Sequence, residues 1–372
     1  MSSWRKLAPG LTSPRLLPIA LVSLVAIVVI CSRPPSATEA QQLSAPKKVA
    51  LPSSKFLLEP VPGIPRPTNS FPAAMAIDAS GHYVAILNNG YGTEESGFQQ
   101  SIAVLDLETN QLRDFPDSRF PVNARQTYFL GLAFSIDGTR LYVSVGSFTD
   151  PAGSTPEIWA MVSPSMASKT ASSRQGFLKI PLQSVPEGKE HNPALASLPP
   201  GKFIPYPARL AVVRGNQGDE ILIADNLSDN ALLIEAAAGR ILHVFDLTTS
   251  DHIPASYPYA VVVTRDGFHA YCSLWNASAV VELDLRTGQV VRSIPLLASS
   301  SPIAAGSHPT ALLLSNDEKR LYVALAGADA VAVIGSVGGR LIGLLSTLLP
   351  GQDYGGSCPS ALAKAANGKR LR

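Results

Sequence analysis

The chain is poor in charge and in cysteine. Lys, Arg, Asp and Glu make up 16% of its 372 residues and leave a formal net charge of +2, whereas about a quarter of an ordinary soluble domain is charged. A surface for nucleic acid needs a large local excess of cations, so this balance excludes nucleic acid as the main partner. The three cysteines, Cys31, Cys272 and Cys358, allow at most one disulfide outside the N-terminal segment and no disulfide scaffold. Cys272 lies inside the apolar run Tyr271-Cys272-Ser273-Leu274 and reads as a buried free thiol. Gly-x-Ser-x-Gly, Cys-x-x-Cys, His-Glu-x-x-His and Gly-x-x-x-x-Gly-Lys are all missing, so no catalytic residue, metal or cofactor is assigned by motif. Asp78 and His82 are spaced like half a metal site, but they straddle a turn and no second pair matches them. Helical periodicity is missing as well, which excludes helical repeats.

What is present is 46% apolar residues, 31 prolines and 28 glycines, the composition of an all-β protein with many turns. At the N-terminus Arg5, Lys6 and Arg15 precede an apolar run over 16–31, broken only by Pro18 and Ser23. A positive leader before a short apolar run is the layout of an export signal. Residues 1–31 are therefore expected to form an apolar helix, as a cleaved signal peptide or an uncleaved anchor. That places the rest of the chain in the periplasm or outside the cell, with contact to the membrane only through this segment. Residues 32–66 are rich in Pro, Ser, Ala and Gln and read as a tether, with short strands at 49–51 and 55–59.

From residue 67 onward the chain repeats. Six segments share one template, a residue that is usually Pro, an apolar strand, and a turn nine positions on. They start at Pro72, Phe129, Pro207, Pro258, Pro309 and Pro359, at intervals of 57, 78, 51, 51 and 50. Each of the first five continues with a second strand, as in Tyr83–Leu87 or Leu321–Leu325, then a third and a fourth across turn residues such as Asn110, Gly239 and Gly288. Four antiparallel strands per ~50-residue unit is the blade of a β-propeller.

The blade cores ILIADNLSDNALLIE (221–235), AYCSLWNASAVVELD (270–284) and LYVALAGADAVAVIG (321–335) resemble YVTN-type repeats. The front, SFPAAMAIDASGHYVAILNNGYG (70–92), SIAVLDLETNQL (101–112) and TYFLGLAFSIDGTRLYVSVGSFTDP (127–151), resembles the YncE-like propellers of exported bacterial proteins. The resemblance implies an all-β propeller of four-stranded blades. In that family a phosphoesterase domain of the alkaline-phosphatase type often follows the propeller, and seven blades are expected when it is intact. The second unit departs from the pattern through insertions at 151–176 and 184–203, with Ile158–Val162 expected as its third strand. The sixth unit ends fourteen residues in, so the last blade is expected to be incomplete, with the segment near 49–59 offering one outer strand.

The residues before each strand start, Phe71, Tyr128, Tyr206, Tyr257, His308 and Cys358, ring one mouth of the channel. Tyr128, Tyr206, Tyr257 and His308 are the candidate ligand-binding residues, because aromatic faces and one imidazole stack on or orient a small ligand. Packing against the neighbouring blade explains the same residues structurally. Arg125, Gln126, Asn88 and Asn89 reach the same mouth or serve ordinary turns. Asn226 and Asn276 match a glycosylation pattern at equivalent turns. Because the inward windows AMAID, LAFSI, LAVVR, AVVVT and ALLLS are mainly apolar, the first expectation is a non-catalytic module for a protein partner or small ligand, accessory to a phosphoesterase domain. The alternative is a lactonase-like propeller hydrolase with its site in the channel.

Overall fold

The computed structural model describes residues 48–50, 56–58, 68–69, 71–90, 100–121, 124–147, 150, 155–160, 183–192, 201–203, 205–296, 306–348, 351, 355–365 and 371. The expected leader helix, most of the tether, most of the first insertion and residues 193–200 of the second lie outside them. The chain divides into two units, Met1–Pro65 and Arg66–Arg372. In the first, β1 (Lys48–Ala50) and β2 (Phe56–Leu58) pair antiparallel with each other.

The second unit is all-β, with no helix among its described residues. Blade 1 comprises β3 (Pro72–Ile77), β4 (Tyr83–Asn88), β5 (Ser101–Asp106) and β6 (Gln111–Pro116). Blade 2 has three strands among the described residues, β7 (Thr127–Phe134), β8 (Arg140–Gly146) and β9 (Thr155–Ala160). The third strand thus begins three residues before the expected Ile158. A short β10 (Glu190–His191) belongs to the second insertion. Blade 3 holds β11 (Pro207–Gly215), β12 (Gly218–Asp225), β13 (Asn230–Glu235) and β14 (Ile241–Asp246). After it β15 (His252–Ile253) pairs parallel with β10, and Lys189 Nζ donates to the Ser250 carbonyl at 3.0 Å, which pins the insertion to this connection. Blade 4 is β16 (Pro258–Val263), β17 (His269–Leu274), β18 (Ala279–Asp284) and β19 (Gln289–Pro295); blade 5 is β20 (Pro309–Leu314), β21 (Arg320–Leu325), β22 (Ala330–Gly335) and β23 (Arg340–Ser346). Residues 355–365 lie along β20, where Thr310 Oγ1 donates to the Pro359 carbonyl and Lys364 Nζ to the Leu314 carbonyl. Five blades and the start of a sixth segment are what the described residues contain.

Local chemistry explains the repeat. The first hairpin of blades 2, 4 and 5 carries Ser/Thr-x-Asp, whose hydroxyl donates to the carboxylate two residues on (Ser135–Asp137, Thr264–Asp266 and Ser315–Asp317, each 2.6 Å). The next residue takes a left-handed φ, supplied by Gly138 and Gly267 and, under strain, by Glu318. First strands are neighbours in the order β3, β7, β11, β16 and β20, so they form the innermost layer. Successive residues of a second strand point into different inter-blade layers. Leu222 packs with Ala270, Cys272 and Leu283 of blade 4, whereas Ile221 and Ile223 pack with Tyr142 of blade 2. The core is therefore a series of slabs between blades. Cys272 is fully buried as expected, and its burial pushes the thiol pKa far above its usual range.

One device ties blades 1, 3, 4 and 5 to the segment that follows each. The residue just before the third strand, Gln100, Asp229, Ser278 or Asp329, accepts backbone N–H groups from the segment leading into the following blade. Gln100 Oε1 takes Tyr128 N–H at 2.6 Å, and Ser278 Oγ takes Ser307 N–H at 2.9 Å. The Asp229 carboxylate takes Ala255, Ser256 and Tyr257; Asp329 takes Gly356 and Cys358 together with the Ser357 hydroxyl. Asp229, Ser278 and Asp329 are themselves left-handed (φ 49, 53 and 46°). The residues they deliver, Tyr257, His308 and Cys358, are also left-handed immediately before a proline (φ 53, 47 and 43°), a strained conformation held by these bonds.

Candidate functional site: the strand-start rim

Every first strand except β7 starts at its proline with a β-bulge, and β7 carries the same irregularity between Tyr128 and Leu132. A bulge re-aims side chains, and these bulges lie where the first strands begin. The backbones are also close there. A Cβ on Gly131 would lie 2.6 Å from the Ala208 carbonyl and 2.8 Å from Ser144 Oγ, so only glycine fits.

The four sequence candidates have different fates. Tyr128 is buried, its hydroxyl donating to Asp117 Oδ2 at 2.6 Å and its ring packed edge-on against Phe120. Burial raises the Asp117 pKa, but the bonds from Arg119 and Tyr128 outweigh it and hold the carboxyl below its ordinary value. Tyr206 is half-buried, edge-on to Phe129 at 5.0 Å and against Gly146. Tyr257 and His308 converge on a residue not singled out in the sequence, Trp275. The Tyr257 ring stands edge-on to Trp275 at 6.4 Å, and His308 stacks on it at 4.0 Å with an interplanar angle of 22°. His308 Nδ1 lies 3.2 Å from the Trp275 carbonyl. A carbonyl only accepts, so Nδ1 carries the proton and Nε2 presents its lone pair in the neutral ring. Gly327 lets this shelf close, since a Cβ there would lie 2.1 Å from the Gly306 carbonyl and 2.8 Å from the imidazole.

Asp225, at the end of β12, is a second missed group. It is wholly enclosed, accepting from Tyr206 N–H and, at 3.0 Å, from the Ser228 hydroxyl. Burial outweighs those bonds and pushes its pKa up to about 7. Buried polar atoms that lack a hydrogen-bond partner among the described residues also gather on this rim. They are Asn88 Oδ1, Asn89 Oδ1, Gln126 Oε1, Arg209 Nε, both amide atoms of Asn230, Ser256 Oγ and Ser307 Oγ. Native interiors satisfy nearly all such atoms, so this rim holds most of the unmet hydrogen-bonding capacity among the described residues.

The opposite rim, formed by the first hairpins, has clefts of a different kind. One of about 520 Å³ lies among Asp137, Arg140, Arg214, Gln217 and Asp219. Its acids are already engaged: Ser135 and Thr139 hold Asp137 down to about 2, and Tyr142 donates its hydroxyl to Asp219 at 2.8 Å. Asp78, weighed as a metal ligand, accepts from Ser80 and Tyr83 in its own turn, and His82 pairs with Glu108 at 3.2 Å. Asn226 Nδ2 donates to the Pro258 carbonyl at 3.0 Å, and Asn276 Nδ2 to the Ala255 carbonyl at 2.8 Å, so turn geometry accounts for both.

No protein-family model matches the chain, and no curated protein does. Solved structures do match. The periplasmic gluconolactonase PpgL of Pseudomonas aeruginosa is 16% identical, with 81% of this chain and 77% of that chain covered at a TM-score of 0.55. A protein from Lactobacillus plantarum is 14% identical over 86% of this chain and 80% of that one, with a TM-score of 0.59. A putative 6-phosphogluconolactonase from Bacteroides fragilis is 16% identical over the same shares, at 0.51. At these identities the likeness establishes the β-propeller fold.

Proposed function

We propose that this chain is a propeller hydrolase acting on a small hydroxylated lactone at the strand-start rim, exported by its N-terminal segment. The observation that carries the reading is His308. Its Nδ1–H is fixed by the Trp275 carbonyl and its ring is stacked on Trp275, which leaves Nε2 as a pre-oriented base. Nε2 would take a proton from the water that attacks the lactone carbonyl, then return it to the ring oxygen as the ester bond opens. Two of the structural neighbours are a gluconolactonase and a putative 6-phosphogluconolactonase, which supports this class over the accessory binding module. The binding module rested on apolar inner windows, and those windows omit the strand-start positions where the polar groups lie.

Proton release from glucono-δ-lactone, corrected for spontaneous opening, tests the reading. His308→Gln is expected to lower kcat/KM about 10²- to 10⁴-fold with the fold unchanged by circular dichroism. A wild-type protein that adds nothing to the spontaneous rate for glucono-δ-lactone and its homologues would return the chain to the binding-module class.

A further inference from the structure

Arg209 is the one cation in the first four positions of any of the six strand starts, in the series PAAM, FLGL, PARL, PYAV, PTAL and PSAL. It lies within the β11 bulge between Pro207 and Leu210. Its neighbours on either side, Ala208 and Leu210, face two different inter-blade slabs. Arg209 is half-buried, its Nε is fully enclosed without a hydrogen-bond partner, and no carboxylate pairs with it among the described residues. Tyr259 lies in the equivalent bulge of β16, the first strand that neighbours β11 in the inner layer. Each shifts the other electrostatically, and the Tyr259 hydroxyl makes no hydrogen bond among the described residues.

A partly buried cation without a partner is a liability for folding. A propeller inner layer made of Ala, Val and Leu has no packing need for it. What an arginine fork beside a phenol does well is hold two oxygens of one anion, with the guanidinium giving paired N–H donors and the phenol a third. We propose that Arg209 and Tyr259 form an oxyanion-binding site at the seam between blades 3 and 4, which takes the carboxylate or phosphate of a small ligand. This goes beyond the hydrolase reading, since an anion binds there whether or not the rim opens lactones.

The test uses the full chain and direct binding. Inorganic phosphate and gluconate are titrated separately at constant ionic strength, by calorimetry and by thermal melting. At least one is expected to bind saturably in the millimolar range and to raise the melting temperature. Saturation by phosphate alone assigns a phosphate ester, and by gluconate alone a carboxylate. Arg209→Met is expected to weaken binding more than tenfold while melting no lower than wild type in the absence of anion, because it removes a partly enclosed charge that has no partner. Tyr259→Phe is expected to weaken binding severalfold, and it decides the matter if Arg209→Met does not fold. Arg214→Ala, on the hairpin rim, is expected to bind as wild type does. Absence of saturable binding by either anion, or binding lost in Arg214→Ala but kept in Arg209→Met and Tyr259→Phe, would overturn the proposal.

Discussion

Asp229→Ala is expected to destabilise the propeller by about 3–5 kcal/mol, the largest loss for a side chain that touches no ligand. The carboxylate accepts Ala255 N–H at 2.6 Å, Ser256 at 3.1 Å and Tyr257 at 3.0 Å, and it is fully buried. Removing it strands three backbone donors at the blade 3–4 junction and releases one hold on Tyr257, whose φ is a left-handed 53°. Asp229→Asn keeps an acceptor and is expected to lose less. Ser278→Ala, at the same place one blade later, removes the acceptor of one N–H and is expected to cost about 1 kcal/mol. Urea unfolding of the three variants checks the order. Equal small losses for all three would show that the blades are held by apolar slabs alone.

Wild-type protein is expected to be less stable at pH 8 than at pH 5, the reverse of what salt-bridged carboxylates produce. Asp225 is responsible. Its pKa is pushed up by burial from an unfolded-chain value of 3.8 to about 7 in the fold. Between these values the folded state binds the proton that the unfolded chain releases. The stabilisation is therefore complete below about pH 4 and is lost as the pH rises to about 7, falling by about 1.4 kcal/mol for each pH unit crossed. Asp137 and Asp329 run the other way. Both are held near 2 by local hydrogen bonds, from Ser135 and Thr139 and from Ser357 and its neighbours respectively, so their contributions are lost only as pH falls below about 4. The two windows barely overlap. Asp225→Asn still accepts Tyr206 N–H and can donate to Ser228 Oγ, so it is expected to remove most of the slope between pH 5 and 8, leaving the part due to Glu220, whose pKa burial also raises. At pH 8 it should gain roughly 2–4 kcal/mol over wild type, read by chemical denaturation at each pH. An unchanged slope would remove Asp225 as its source.

The blade boundaries were legible because the repeat is written in turn chemistry. The prolines that open β11, β16 and β20 recur at intervals of 51 residues, each with a turn nine positions on, and that repeat decides the fold class. The site was less legible, for identifiable reasons. The inward windows were read from the regular part of each strand, beginning at Leu210 in β11, and so stepped over Arg209 in the bulge. Trp275 sits at a turn position that is Asn in blade 3 and Ala in blade 5, so its type carried no repeat signal. Asp225 looked like one more turn acid, and only three-dimensional enclosure sets its pKa. Tyr128 shared the ring pattern with Tyr257 and His308, but Asp117, eleven residues upstream, claims its hydroxyl. Left-handed backbone before proline, at Phe71, Tyr257, His308 and Cys358, was not legible at all, because that position favours extended conformations.

The strand-start rim as the working face is tested most directly by hydrogen–deuterium exchange of the full chain with and without saturating gluconate. The expected result is slowed exchange in 206–210, 225–230, 256–260 and 306–310, with the first hairpins unchanged. Protection confined to Ile136–Arg140 and Arg214–Asp219, the lining of the opposite cleft, would contradict the assignment and move the site to the hairpin rim.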